Sequence, residues 1–206
     1  MLYFTPGAQV LKDLVVGINT VNLLSPLTIT GGTTTSAAGT VTIVPGASLN
    51  TFGNLTLQSS QYGTASIAAN TSGSSYINGE VTVERYIPNN GFRSWRLLSV
   101  PTYGTGQTIR QAWQEGIVNT LPLQNNLANY GTQITGTGVL ATAQTAGFDN
   151  VAASAALLNW NGSGWSGLNS TNNAIETDKG YFLYIRGERS KGITGTTTNS
   201  SATTLR

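Results

Sequence analysis

The sequence predicts an all-β chain: a short β-solenoid-like N-terminal part, then a β-sandwich with one short helix. Three observations carry this. Apolar residues alternate with Thr or Asn in short runs, glycine or Pro-Gly breaks separate the runs, and a single stretch has helical spacing. Charged residues are only 9% of the 206 residues, against about 25% in an ordinary soluble domain. Hydroxyls and amides carry solubility instead, while a hydrophobic content of 39% is enough to build a core.

Residues 1–78 form the expected stacked-strand region. Its first run is Val10–Val16, followed by Val21–Leu24, Leu27–Thr30, Val41–Val44, Leu49–Phe52, Asn54–Leu57 and Ala65–Ala68. Turn chemistry at Gly31-Gly32, Pro45-Gly46, Gly53 and Gly63 ends them. Leu27-Thr28-Ile29, Val41-Thr42-Ile43 and Leu55-Thr56-Leu57 recur every fourteen residues, an interval that fits stacked coils. An antiparallel meander produces even spacing too, so both arrangements stay open at this level.

Residues 79–206 have a different texture and read as a β-sandwich-like domain truncated at its C-terminus. The strand Val81–Glu84 opens it, and aromatics, arginines and carboxylates then appear together. Thr108–Glu115 is the helical stretch, with Ile109, Trp113 and Ile117 four residues apart. Gly138–Thr142, Ala156–Trp160 and Gly180–Gly187 read as strands. Thr203-Thr204-Leu205-Arg206 reads as the start of a strand rather than its finish, and no secretory leader precedes residue 10, so a piece of a longer polypeptide is expected.

The residue inventory excludes several chemistries. Without Cys or His there is no thiolate or imidazole to act as nucleophile, base or metal ligand. Ten basic residues balance eight acidic ones with no basic run, which argues against nucleic acid as a partner. No apolar run approaches the roughly 20 residues of a membrane-spanning helix. No pair of carboxylates sits in a context marking an acid and a base, so no catalytic residue and no cofactor is assigned. Oxygen ligands for a structural calcium are offered by Asp149, Glu176 and Asp178, although their spacing matches no calcium loop. Trp160 and Trp165 flank the tip Asn161-Gly162-Ser163-Gly164 and are either core or, with Asn161, a glycan platform.

The block Gly79–Pro88, Trp95–Ser99, Ile109–Gly116, Tyr130–Gly136, Gly147–Asp149, Gly180–Ser190 and Thr203–Arg206 resembles a segment of very large secreted surface proteins of Bacteroidota. Leu49–Ser59 is similar to the stacked-strand stretch that precedes it in those proteins. The resemblance implies export to the cell surface through the type IX secretion machinery and life within long adhesin-like chains. It implies no catalytic residue. Expected partners are further segments of a parent chain, other copies joined by β-strand addition into a filament, or glycans. Within this block Glu84, Arg85, Arg96, Arg186, Glu188 and Arg189 are expected to form a structural charge lattice between strands, so that Arg96→Ala lowers stability.

Overall fold

Alternation decides the first half of the chain. In Leu27-Thr28-Ile29 and Leu55-Thr56-Leu57 the flanking apolar residues are buried and the central Thr is only partly so, as a strand with one dry face requires. The computed structural model describes residues 7, 9–69, 77–89, 91–102, 106–116, 129–189 and 201–206. It is strand-rich with two short helices, and the chain divides into two compact units, Met1–Tyr86 and Ile87–Arg206.

The first unit begins with β1 (Gln9–Leu11), β2 (Leu14–Val16), β3 (Thr20–Asn22), β4 (Leu27–Ile29), β5 (Thr40–Ile43) and β6 (Ser48–Asn50). It continues with β7 (Leu55–Leu57), β8 (Ser59–Ser60), β9 (Gly63–Thr64), β10 (Ser66–Ile67), β11 (Ile77–Asn78) and β12 (Val81–Val83). Three parallel sheets result, ordered β1-β4-β7-β12, β10-β5-β2 and β11-β6-β3. Leu27 aligns with Leu55, Leu14 with Val41 and Val21 with Leu49, 27 or 28 positions apart; β7–β12 and β5–β10 are offset by 26 and β1–β4 by 18. The fourteen-residue interval is thus half of the stacking period. Val41-Thr42-Ile43 joins a different sheet from the two motifs on either side of it.

The run Val10–Val16 divides at Lys12-Asp13 into β1 and β2, which belong to different sheets. Phe52 ends its run rather than extending it, turning with φ +49. Val81–Val83, counted with the second region in the sequence, pairs with β7 of the first. Inward side chains from all three sheets make one core, including Leu14, Val16, Leu23, Leu27, Ile29, Val41, Ile43, Leu49, Leu55 and Leu57. Each such side chain contributes about 1.5–3 kcal/mol on burial. Backbones approach closely at Gly39, where a Cβ would lie 1.8 Å from the Lys12 carbonyl oxygen.

Asparagines stack along the third sheet. Asn50 Nδ2 donates to Asn22 Oδ1 at 2.7 Å, and Asn78 Nδ2 donates to Asn50 Oδ1 at 3.0 Å. Parallel in-register pairing brings these identical side chains together, as Asn22 aligns with Asn50 and Asn50 with Asn78.

β13 (Arg85–Ile87) crosses the division, and Ile87 buries in the second core. The second unit continues with β14 (Ser94–Ser99), α1 (Ile109–Trp113), β15 (Thr135–Gly136), α2 (Leu140–Thr145) and β16 (Asn150–Val151). β17 (Leu157–Trp160), β18 (Trp165–Gly167), β19 (Gly180–Ile185) and β20 (Thr203–Leu205) complete it. Its main sheet is antiparallel, ordered β14-β19-β17-β18. Tyr181, Leu183 and Ile185 face a core shared with Leu157, Ile109, Trp113, Ile134, Phe148 and Leu205.

The helix foreseen at Thr108–Glu115 forms over Ile109–Trp113. Thr108 and Gln111 close a capping box, and Ile109, Ala112 and Trp113 bury. Ile117 lies outside the described residues. The strand expected at Gly138–Thr142 is corrected. Gly138 turns with φ +82, and Leu140–Thr145 is a second helix of which only Ala143 is buried. Its Ala, Leu and Gln residues favour helix, and Thr145 Oγ1 donates back to the Ala141 carbonyl.

Candidate functional site

The strand Gly180–Ile185 is apolar on both faces, and only one face reaches the core. Tyr181, Leu183 and Ile185 bury, whereas Phe182 and Tyr184 point outward and stay partly exposed. Register carries neighbours to the same outer face. Trp95 stands opposite Tyr184, Leu97 opposite Phe182, Leu158 opposite Phe182 on the other side, and Trp160 opposite Trp165.

The rings form a continuous row. Trp95 lies 5.3 Å from Tyr184 and stacks on Phe182 at 4.8 Å; Phe182 lies 5.5 Å from Trp165, which meets Trp160 edge-on at 5.5 Å. Such pairs contribute about 0.5–1.5 kcal/mol each beyond area burial, so they stiffen the row. All four strands take part, giving a width of about 14 Å at the usual inter-strand spacing. Trp160 and Trp165 remain 43% and 41% exposed and Leu97 70%, so these tryptophans are surface residues rather than core.

Asn161 has a role other than the one expected of it. Its Oδ1 accepts from Ser163 N at 3.0 Å and Gly164 N at 2.9 Å, and its Nδ2 donates to Ser166 Oγ at 3.0 Å. The amide is spent on holding the hairpin tip, which fixes the Trp160–Trp165 pair.

The calcium candidates do not come together. Asp149 is wholly buried, with its carboxylate bonded in a bidentate pair to Arg189. It also accepts from Gln114 Nε2 at 2.8 Å and Ile134 N at 2.8 Å. Four donors, two of them on a charged guanidinium, already hold this carboxylate, so a hard cation would have to displace them. Glu176 bridges Lys179 at the surface, which holds the Lys179 ammonium above its ordinary pKa. Among the described residues no three acidic groups gather.

The charge lattice is corrected in the same way. Arg189 pairs with Asp149, a residue outside the expected set. Glu84 accepts from Ser59 N at 3.2 Å and Glu188 from Asn129 N at 2.8 Å, each a carboxylate tying down backbone. Arg186 Nη2 donates to Thr135 Oγ1 at 3.3 Å. Arg85 is exposed and Arg96 half-buried, and neither forms an ion pair among the described residues. Backbone amides from Ser59, Asn129 and Ile134 satisfy the buried carboxylates as much as side chains do, a pairing that strand register alone does not give. Sequence reasoning also missed Trp95, Phe182 and Tyr184; the one available signal was the all-apolar run at 181–185, where one of the two alternating sets had to face outward.

No protein-family model matches the chain, and neither a curated protein nor a solved structure gives a significant match.

Proposed function

We propose that this chain is a non-catalytic, adhesin-type module of a bacterial surface protein, acting outside the cell and binding carbohydrate through its aromatic sheet face. In this reading the first unit is a β-solenoid whose strands stack at intervals of 26–28 residues, with a shorter first step of 18 from β1 to β4, and the second is a β-sandwich-like domain. The location rests on the ordered motif block that resembles type IX-exported surface proteins of Bacteroidota. One observation carries the binding function: the row Tyr184-Trp95-Phe182-Trp165-Trp160, partly exposed across the whole width of a rigid sheet. Aromatic faces that stay wet on a preformed platform are suited to the apolar faces of sugar rings. Two of the acidic side chains are paired away from this face, Asp149 with Arg189 and Glu176 with Lys179.

Retention on immobilised polysaccharides tests this. The unaltered protein is expected to be retarded by at least one polysaccharide, and Trp165→Ala to weaken that affinity about tenfold while the far-UV spectrum is unchanged. Equal retention of both proteins would refute the assignment of the face.

A second reading has its own observation. Val10, Val15, Ile18 and Leu24 are exposed at 66–79%, all within residues 10–24. Val10 and Val15 occupy the outward ladder positions that Thr28 and Thr42 fill in their pairing partners. This apolar strip supports stacking of another coil, supplied by a second copy through β-strand addition. Light scattering reads it directly: a mass well above the 21.5 kDa of one chain is expected, and a clean monomer at high concentration would retire it.

A further inference from the structure

The Tyr184 end of the aromatic row borders a cavity of about 320 Å³, lined by Trp95, Tyr184 and Arg186 and by Ala152 and the 154–156 segment. Arg186 follows directly on β19, where the strand leaves the sheet. Its side chain is unusual for a charged group. The residue is only 8% exposed, and its guanidinium carbon sits 4.8 Å from the centre of the Tyr184 ring. Nη2 donates to Thr135 Oγ1, while Nη1, itself buried, has no hydrogen-bond partner among the described residues.

A guanidinium out of water is normally paired with a carboxylate, because desolvation is costly and an uncompensated charge costs more. Of the buried carboxylates in this unit, Asp149 is engaged by Arg189 and Glu188 accepts from Asn129 N at 2.8 Å. Arg186 forms no ion pair among the described residues, and a second guanidinium, Arg93, acts on it. Burial first and Arg93 second push the Arg186 pKa down, against smaller opposing contributions from Tyr184 and Asp149. A cation kept under these conditions beside an open cavity is arranged for an anion that arrives from outside.

We infer that this cavity receives the carboxylate of an acidic sugar, a uronate unit of a polysaccharide, on Arg186, with the sugar ring against Trp95 and Tyr184. The inference rests on the carbohydrate reading of the aromatic face and narrows it to a substrate class. A planar carboxylate matches the guanidinium fork and supplies the acceptor that Nη1 lacks. The rings of Trp95 and Tyr184 line the same cavity, so one ligand residue meets the charge and the apolar surface together. Neutral glycans would use the row at Phe182, Trp165 and Trp160 and leave Arg186 unsatisfied.

The test uses the unaltered protein on two matched polymers: polygalacturonate, and the same polymer after its carboxyl groups are reduced to alcohols. Affinity electrophoresis is expected to show at least about tenfold tighter binding to the carboxylated polymer, the loss that removal of a charge-assisted hydrogen bond brings. Arg186→Gln is expected to abolish that preference while keeping binding to the reduced polymer. Because Arg186→Gln could fail to fold, the matched polymers on the unaltered protein decide alone. Equal binding to both would overturn the uronate assignment and leave the carbohydrate reading standing. No retention on either polymer or on a panel of neutral polysaccharides would overturn both.

Discussion

Replacing Asp149 with Ala removes the anion at the centre of the second unit. Asp149 has no exposed surface, Arg189 is 1% exposed, and the pair is bidentate. The substitution strands a buried guanidinium, takes the acceptor from Ile134 N and removes one of the two acceptors of Gln114 Nε2, which keeps the Gly147 carbonyl at 3.1 Å. Breaking a buried pair from one side costs about 3–5 kcal/mol. That is a large share of the roughly 5–15 kcal/mol that holds a domain together. For a unit of this size about 3–5 °C is lost per kcal/mol, so the melting point is expected to fall by roughly 10–20 °C. The measurement is clean because Trp95, Trp113, Trp160 and Trp165 all lie in the second unit and none lies in the first. Tryptophan fluorescence therefore follows the unfolding of that unit alone. The double variant Asp149→Ala with Arg189→Met is expected to regain more than half of the loss, since most of it is the uncompensated charge rather than a missing attraction. Arg96→Ala, which breaks no ion pair, is expected to cost about 1 kcal/mol or less. A shift under about 3 °C for Asp149→Ala, or a double variant as unstable as the sum of its parts, would refute the reasoning.

Two further outcomes follow from packing and titration. Gly39→Ala places a methyl 1.8 Å from the Lys12 carbonyl oxygen and 2.7 Å from Ile29 Cγ2, so backbone must move. A loss of at least about 1–3 kcal/mol in the first unit is expected by circular dichroism, with the tryptophan transition unchanged. Tyr181 is held above the ordinary tyrosine pKa, chiefly by burial, while the Glu176 amide that donates to its hydroxyl opposes the shift. A raised folded pKa means stability that is complete below the unfolded value near 10 and lost as pH rises through the folded one. Alkaline unfolding of the second unit should therefore begin as pH passes 10, and Tyr181→Phe should flatten that limb; an identical limb in both proteins would rule Tyr181 out as its cause.

How much could be read in advance depends on how local the cause was. Leu27-Thr28-Ile29 announces a strand because one face must be dry, and that is decided within three residues. The sheet it joins is decided by Leu55, 28 residues away, so a repeat of fourteen was legible while its meaning was not. The four-residue spacing of Ile109 and Trp113 made the helix at Thr108–Glu115 legible, and it forms over Ile109–Trp113. Gly138–Thr142 misled because Val139 and Thr142 suit a strand, whereas Gly138 turns and the Leu, Ala and Gln residues of 140–145 favour helix. Trp160 and Trp165 were recognisable as a pair across a tip, but exposure depends on which side of the sheet the helices cover. Arg186 looked the same in sequence as Arg189, yet one met Asp149 and the other did not. That difference arises from loops folding over long distances, and no spacing rule encodes it.

The stacked asparagines have a direction. Asn78 gives to Asn50 and Asn50 gives to Asn22, so every amide along the column points its hydrogen the same way. Hydrogen bonds in such a file polarise one another, and the column has a donor end at Asn22 and an acceptor end at Asn78. Two copies meeting through this column by a twofold axis would set donor against donor or acceptor against acceptor. Translation alone sets unlike ends together, so the chemistry of one side-chain file favours an open, polar series over a closed pair.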